Sequence, residues 1–112
     1  MRDGFSAAYA GFQETLRHER SFKVMCTIGV AVIGAMFYFP TSTIEKLALV
    51  AMVFSILILE LLNGTIERIL DFMSPEYDER VRTIKDLMAA IVLLASVGAA
   101  VCGTVIFYPY LM

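Results

Sequence analysis

Hydrophobic residues occur in three long runs, separated by short polar segments. The runs cover residues 24–39, 47–59 and 87–112, and no charged side chain interrupts them. A helix needs roughly 20 mostly apolar residues to cross a bilayer, and the second run reaches that length only if its helix continues through the polar stretch 60–71. The pattern predicts an all-α membrane protein whose transmembrane helices lie at 22–39, 44–72 and 74–110.

The polar segments carry signals for the ends of helices. Ser42 and Glu45 form an S-x-x-E capping box at the start of the second transmembrane helix. Ser74 can cap the third helix with Pro75 in its first turn. That helix would begin near residue 74 and run in water for about three turns before it enters the bilayer near Leu87.

The N-terminal segment, residues 1–20, has a different pattern. Its apolar residues recur at helical spacing and share one face: Phe5, Ala8, Tyr9, Phe12 and Leu16. Such a pattern is typical of an amphipathic helix that lies in the membrane interface. A helix packed on other protein is the alternative. The whole chain, 1–112, is expected to form one domain.

Charge changes this picture in two ways. The net charge is −2 in a chain that is 59% hydrophobic, and no basic patch is present, so nucleic acid is not an expected partner. Basic residues cluster before the first span and around the second joint, whereas the first loop contains Lys46 alone. The positive-inside rule therefore predicts a cytoplasmic N-terminus and a C-terminus on the outside.

A stripe of polar residues lies in the second half of the second span. Glu60, Asn63, Glu67 and Asp71 are spaced by three, four and four residues, so they share one helix face. Counted from Leu47, Glu60 lies about 20 Å into the bilayer and Glu67 about 30 Å, near the cytoplasmic interface. An intramembrane carboxylate marks a functional site by default. Hydrogen bonding between helices is the structural alternative.

Carboxylates at this depth suit phosphoryl transfer to a lipid. Mg²⁺ prefers carboxylate and phosphate oxygens, so Glu67 and another acid could hold a metal–nucleotide. Glu60, deeper in the bilayer, could take the proton of a lipid hydroxyl as general base. Lys85 and Asp86 lie together at the start of the third span, either as an ordinary interfacial charge pair or as a phosphate contact and its orienting partner. The chain has no GxxxxGK[ST] loop.

These residues resemble a known family. The stretch "ELLNGTIERILD" (60–71) is similar to the signature E-x-x-N-[ST]-A-I-E-x-x-x-D of the prokaryotic diacylglycerol kinase family, whose members include undecaprenol kinases. Three further stretches also resemble it: "FSAAYAG" (5–11), "ERSFK" (19–23) and "EYDERVRTIKDLMAAIVLLAS" (76–96). The resemblance covers nearly the whole chain.

The resemblance implies a homotrimer of three-span subunits in the bacterial inner membrane, with active sites between subunits. It implies that Glu60 is the catalytic carboxylate, that Asn63 orients the site, and that Glu19 and Glu67 hold Mg²⁺ bound to ATP. The lipid alcohol would contact Glu60 and Phe22. The residues expected to border the nucleotide are Glu19, Glu67, Asp71, Glu76, Tyr77, Asp78, Lys85 and Asp86.

The chain departs from the family pattern at several positions. Gly64 and Thr65 replace its usual small-residue pair, Met25 stands where some members have an acid or histidine, and Asp78 stands where histidine is frequent. The F-x-x-A-x-x-G start and the "IFYP" end (106–109) favour undecaprenol over diacylglycerol as the substrate. Two alternatives are non-catalytic: an oligomeric proton or cation conduit that uses the stripe as a relay, and a structural or regulatory membrane subunit.

Overall fold

Four helices account for most of the chain, and their ends coincide with the polar segments of the sequence. The computed structural model describes residues 4–76 and 78–112. Within them lie α1 (Gly4–His18), α2 (Arg20–Tyr38), α3 (Thr43–Met73) and α4 (Glu79–Leu111). Helices α2, α3 and α4 are each long and apolar enough to cross a bilayer. The predicted all-α architecture with three transmembrane helices is confirmed.

The start of α3 follows the predicted capping box. The Ser42 hydroxyl accepts a hydrogen bond from the Glu45 backbone N–H at 3.1 Å, and the Glu45 carboxylate accepts one from the Ser42 N–H at 2.8 Å. Two backbone donors of the first turn that have no partner within the helix are thus satisfied. This fixes where α3 begins.

The predicted start of α4 near residue 74 is wrong, because the helix begins at Glu79. Ser74 instead closes α3, where its backbone N–H donates to Leu70 O at 2.9 Å. The N-cap of α4 is Asp78, whose carboxylate accepts from the Arg80 N–H at 2.8 Å. The Arg80 side chain and N–H both bond this carboxylate and lower the pKa of Asp78. Asp is among the strongest N-cap residues, so the helix starts after it.

Helix α3 lies between α2 and α4 and packs against both. It approaches α2 closely at Gly29, where a Cβ atom would lie 2.9 Å from Val53 Cγ1. Small residues permit this kind of close contact between transmembrane helices. The buried apolar side chains are drawn from all three helices: Phe22, Met36, Leu49 and Val92.

The end of the molecule opposite α1 is held together by aromatic and polar contacts. The Tyr110 hydroxyl donates to the Glu45 carboxylate and so joins the end of α4 to the start of α3. The Phe39 ring lies 5.9 Å from that of Phe107, measured between centroids. These contacts fix α2, α3 and α4 relative to one another at the end predicted to face outside.

Helix α1 confirms the predicted N-terminal helix, and its apolar face is largely uncovered. Phe5 is 89% exposed and Tyr9 is 63% exposed. Phe12 meets Phe22 of α2 edge-on, with 5.4 Å between ring centroids. An amphipathic helix tethered in this way, with its aromatic side chains exposed, suits a position in the membrane interface.

Candidate functional site

The polar stripe lies on the face of α3 that also lines an open apolar groove between α2, α3 and α4. The groove has a volume of about 590 Å³. Leu49, Val53 and Ile56 form part of its α3 wall, and Glu60 follows Ile56 by four residues on the same helix face. The groove therefore leads, about one helical turn further on, to the first carboxylate of the stripe.

Beyond the end of the groove, Glu60 lies within electrostatic range of two other carboxylates. Glu60 interacts electrostatically with Glu67, which follows it on α3, and with Glu19. Glu19 is the residue between α1 and α2, and its backbone is extended, with φ −107° and ψ 105°. This break in the helix lets the chain turn into α2 and carries the Glu19 side chain to α3. The structure thus brings the predicted catalytic carboxylate together with both predicted metal ligands.

The Glu19 carboxylate lies against α3 at Gly64 and Arg68. A Cβ atom on Gly64 would lie 3.4 Å from Glu19 Oε1, so this carboxylate oxygen rests against the helix surface. The same oxygen lies 3.4 Å from Arg68 Nη2. Gly64 and Arg68 are four residues apart, on adjacent turns of one helix face. The departure from the family pattern at Gly64 therefore coincides with the place where Glu19 touches α3.

Arg68 is a site residue that sequence reasoning did not identify. It is the single basic residue between positions 47 and 79, and it lies directly next to Glu67. A lone cation beside an intramembrane acidic stripe was the available signal, since ionisable groups at this depth pair with one another. Its partner could not be read from the sequence, because Glu19 is 49 residues away.

At the end of the stripe that is predicted to face the cytoplasm, Lys85 of α4 pairs with α3. Its Nζ lies 2.7 Å from Asp71 Oδ1, and its charge also interacts with Glu67. The suggested pairing of Lys85 with its neighbour Asp86 does not form. Asp86 instead accepts from Arg82 at 3.4 Å, one turn earlier on α4. The reason is geometric, because consecutive helix residues do not face each other.

Asn63 lies within the stripe with part of its amide unsatisfied. Its Oδ1 atom is buried and has no hydrogen-bond partner among the residues that the structure describes. An unsatisfied buried acceptor destabilises a fold by about 1–3 kcal/mol, so its presence between two carboxylates suits a role in binding. A carbonyl oxygen can accept from a ligand or coordinate a hard cation.

For the remaining predicted site residues, the described part of the structure shows no hydrogen bond or ion pair with the carboxylates of Glu19, Glu60 or Glu67. Glu76 lies exposed in the joint between α3 and α4, and the Asp78 carboxylate caps α4. Tyr77 lies outside the described residues. Phe22 is 1% exposed and packs on Phe12, so its observed contacts belong to the interior, and its contact with a lipid stays a prediction.

The oxygen atoms of these side chains suit a hard cation whose coordination shell is completed by oxygens of a bound ligand. Within residues 4–76 and 78–112, no group of three or more His, Cys, Asp or Glu side chains could by itself hold a metal ion. Mg²⁺ is commonly held by one or two carboxylates, with phosphate and water oxygens completing its octahedron. Glu19, Glu67 and the Asn63 carbonyl oxygen, which has no partner among the described residues, offer oxygen donors of this kind.

Comparison with known proteins agrees with the resemblance in the sequence. Residues 6–107 match the prokaryotic diacylglycerol kinase family. A protein from Synechocystis sp. named diacylglycerol kinase is 32% identical over 111 residues, which is 96% of this chain. The chain spans 62% of the length of that relative.

Proposed function

The chain belongs to the prokaryotic diacylglycerol kinase family, and on that premise we propose that it transfers the γ-phosphoryl group of ATP to the hydroxyl of a membrane lipid. The observation that carries the proposal is the convergence of Glu19, Glu60 and Glu67 at the end of an apolar groove. Phosphoryl transfer needs positioning and charge neutralisation more than covalent help from the protein. The carboxylates could bind a metal that neutralises charge, and the adjacent groove could position the lipid chain.

Glu60 is the proposed general base. It lies on the groove side of the cluster, one turn beyond Ile56, where a lipid hydroxyl would arrive with its chain in the groove. The carboxylate accepts the hydroxyl proton as the lipid oxygen forms a bond to the γ-phosphorus. The bond from that phosphorus to the bridging oxygen of ATP breaks, and ADP leaves with its electron pair. Proton removal by a positioned side chain contributes about 10²- to 10⁴-fold to rate.

Glu19 and Glu67 are the proposed ligands of Mg²⁺, with the Asn63 carbonyl oxygen beside them. When bound, the metal would neutralise charge on the β- and γ-phosphate oxygens. Glu19 reaches the site from the junction between α1 and α2, whereas Glu67 and Asn63 belong to α3. Correct packing of α2 on α3 is therefore a condition for assembling this oxygen set.

Lys85 is the proposed cationic contact of the polyphosphate. Its ammonium pairs with Asp71 and interacts with Glu67, at the end of the stripe where a nucleotide from the cytoplasm would enter. An ammonium is a common phosphate ligand in proteins. The other proposed nucleotide contacts, carried over from the family resemblance, are Glu19, Glu67, Asp71, Glu76, Tyr77, Asp78 and Asp86.

Several further features belong to the proposal. The protein lies in the bacterial inner membrane with its N-terminus in the cytoplasm, and it works as a homotrimer whose subunits share the active sites. The relative's name points to diacylglycerol as the lipid. The F-x-x-A-x-x-G start and the "IFYP" end favour undecaprenol, and both lipids place a primary hydroxyl at the headgroup level.

The test is transfer of labelled phosphate by purified protein in mixed micelles. Parallel samples contain ATP labelled at the γ-phosphate, Mg²⁺, and either diacylglycerol, undecaprenol or no added lipid. The proposal predicts label in the extracted lipid of at least one sample that contains a lipid alcohol. Absence of labelled lipid together with ATP-independent cation flux in liposomes would contradict it and favour a conduit.

A further inference from the structure

The contact between Arg68 and Glu19 is loose for an ion pair. Its Nη2–Oε1 distance is 3.4 Å, whereas charge-assisted N–H···O hydrogen bonds are typically about 2.7–2.9 Å long. The Arg68 side chain is 50% exposed and that of Glu19 is 31% exposed. Ion pairs of this exposure contribute little to stability, so Arg68 can leave Glu19 without disturbing the packing of α2 on α3.

Arg68 also lies beside an oxygen of Glu19 that could hold a cation. Glu19 Oε1 is the oxygen that faces both Gly64 and Arg68. One side of this atom is covered by the surface of α3, and the guanidinium approaches another. A divalent cation bound by this oxygen would bring two positive charges beside the guanidinium, and like charges at such distances repel strongly.

Two basic side chains, Lys85 and Arg68, lie at different edges of the carboxylate cluster. Lys85 pairs with Asp71 and also interacts with Glu67. At the other edge, Arg68 pairs with Glu19. The negative charges of Glu19 and Glu67 both repel that of Glu60. Arg68 therefore offsets the mutual repulsion of the carboxylates when no divalent cation lies among them.

We propose that Arg68 exchanges partners at this site: it is the counter-ion of Glu19 before loading, and it contacts the polyphosphate of a nucleoside triphosphate once the metal–nucleotide is bound. The inference rests on the proposed function. Arg68 lies about 12 Å from Glu60 along α3, toward the cytoplasmic end, the side from which a nucleotide would enter. Its planar guanidinium matches phosphate oxygens with two parallel donors.

Two binding measurements on the full-length protein in micelles test the exchange. Binding of Mn²⁺ alone, followed by electron paramagnetic resonance, reports on Glu19. Binding of the Mg²⁺ complex of a nonhydrolysable ATP analogue, followed by calorimetry, reports on the polyphosphate contact. Neither measurement depends on turnover or on the identity of the lipid.

The Arg68→Gln variant should shift the two affinities in opposite directions. Mn²⁺ binding becomes about two- to fivefold tighter, because a competing cation of ordinary surface ion-pair strength is removed from Glu19. Binding of the Mg²⁺–nucleotide complex becomes about threefold weaker or more, since a charged hydrogen bond to phosphate is lost. Arg68→Lys keeps the positive charge but lacks the two parallel N–H donors of the guanidinium. Its Mn²⁺ affinity therefore stays near that of the wild type, while its affinity for the Mg²⁺–nucleotide complex falls.

Arg82→Gln is the matched control. Arg82 is 54% exposed and also lies 3.4 Å from a carboxylate, that of Asp86. Its removal leaves Mn²⁺ affinity unchanged, and thermal unfolding of each variant checks that the fold is intact. If wild-type protein binds both ligands and Arg68→Gln changes neither, or shifts both in one direction, the exchange is wrong and the proposed function stands. If wild-type protein binds neither Mn²⁺ nor the Mg²⁺–nucleotide complex, both the proposed exchange and the proposed function are wrong.

Discussion

Lys85 of α4 donates to Asp71 of α3 across 2.7 Å, and the same ammonium interacts with Glu67 one turn away. The contact joins two helices at the end of the polar stripe that is proposed to face the cytoplasm. It holds one positive charge beside the carboxylates without inserting it among them. The proposed nucleotide contact is thus positioned before any nucleotide arrives.

Replacement of Lys85 by methionine should impair nucleotide use more than folding. The methylene stem is kept, whereas the charge that would meet the polyphosphate is lost. We expect kcat/KM for ATP to fall about 100-fold, the effect of removing one positioned donor from a transferring group. Lys46→Met is the control, because Lys46 donates to Thr41 O at the opposite end of the molecule and its loss should leave kcat/KM near wild type. Equal effects of the two changes would remove Lys85 from the site.

Asn63→Leu should separate stability from activity. The Asn63 Oδ1 atom has no hydrogen-bond partner within the described residues, so replacing the amide by an apolar side chain of similar size removes an unsatisfied buried acceptor. The free energy of unfolding is expected to stay level or rise by about 1 kcal/mol, while lipid phosphorylation is lost. Denaturant unfolding in micelles and the labelled-phosphate assay measure the two effects. A marked loss of stability would indicate that the amide has a structural partner.

The close approach of α2 to α3 predicts different effects at two glycines of α2. A Cβ on Gly29 would lie 2.9 Å from Val53 Cγ1, and a β-branched side chain on a helix has little freedom to move aside. At Gly34, the described part of the chain places nothing within 4 Å of a Cβ. Relative to Gly34→Ala, Gly29→Ala should lower the free energy of unfolding by about 1–3 kcal/mol.

Both changes replace glycine by alanine within one helix, so their effects on helix propensity cancel in the comparison. Thermal or denaturant unfolding of the two variants, in the same detergent, measures the difference. Equal stabilities would mean that α2 and α3 are further apart at Gly29 than the structure places them.

The proposed orientation predicts the labelling of single cysteines in intact cells. Pro75→Cys and Met112→Cys are each placed in a background in which Cys26 and Cys102 are alanine. Positions 75 and 112 are both exposed and lie at opposite ends of α4. A membrane-impermeant thiol reagent should label Cys at position 112 in intact cells, and at position 75 only after the membrane is opened. The reverse pattern would invert the topology and move the carboxylates to the outside.

The fold was largely predictable because its signals are local. Runs of apolar residues and the Ser42–Glu45 capping box depend on neighbours in sequence, and both are confirmed. The start of α4 was missed because two candidate caps compete over a few residues. Ser74 is taken up by the end of α3, and Asp78 then serves as the cap. A sequence pattern cannot weigh one helix end against the next.

The site was predictable along α3 and less so across helices. Helical spacing placed Glu60, Asn63 and Glu67 on one face, and the family resemblance added Glu19. The contacts of Arg68 with Glu19 and of Lys85 with Asp71 depend on how α2 and α4 pack against α3. The periodicity of residues along one helix does not show which residues meet between two helices. Gly64 illustrates the same point, since it departs from the family pattern and only the position of Glu19 in space gives it a physical role.

The most direct test of the account is phosphoryl transfer by the Glu60→Gln variant under single-turnover conditions, with Mg²⁺–ATP bound in advance and the preferred lipid supplied in excess. Glutamine keeps the shape of the side chain and cannot accept the hydroxyl proton. The account predicts that nucleotide binding is retained and that transfer slows by about 10²-fold or more. A transfer rate within about threefold of wild type, well below any general-base contribution, would contradict the role of Glu60 and with it the proposed arrangement of the site.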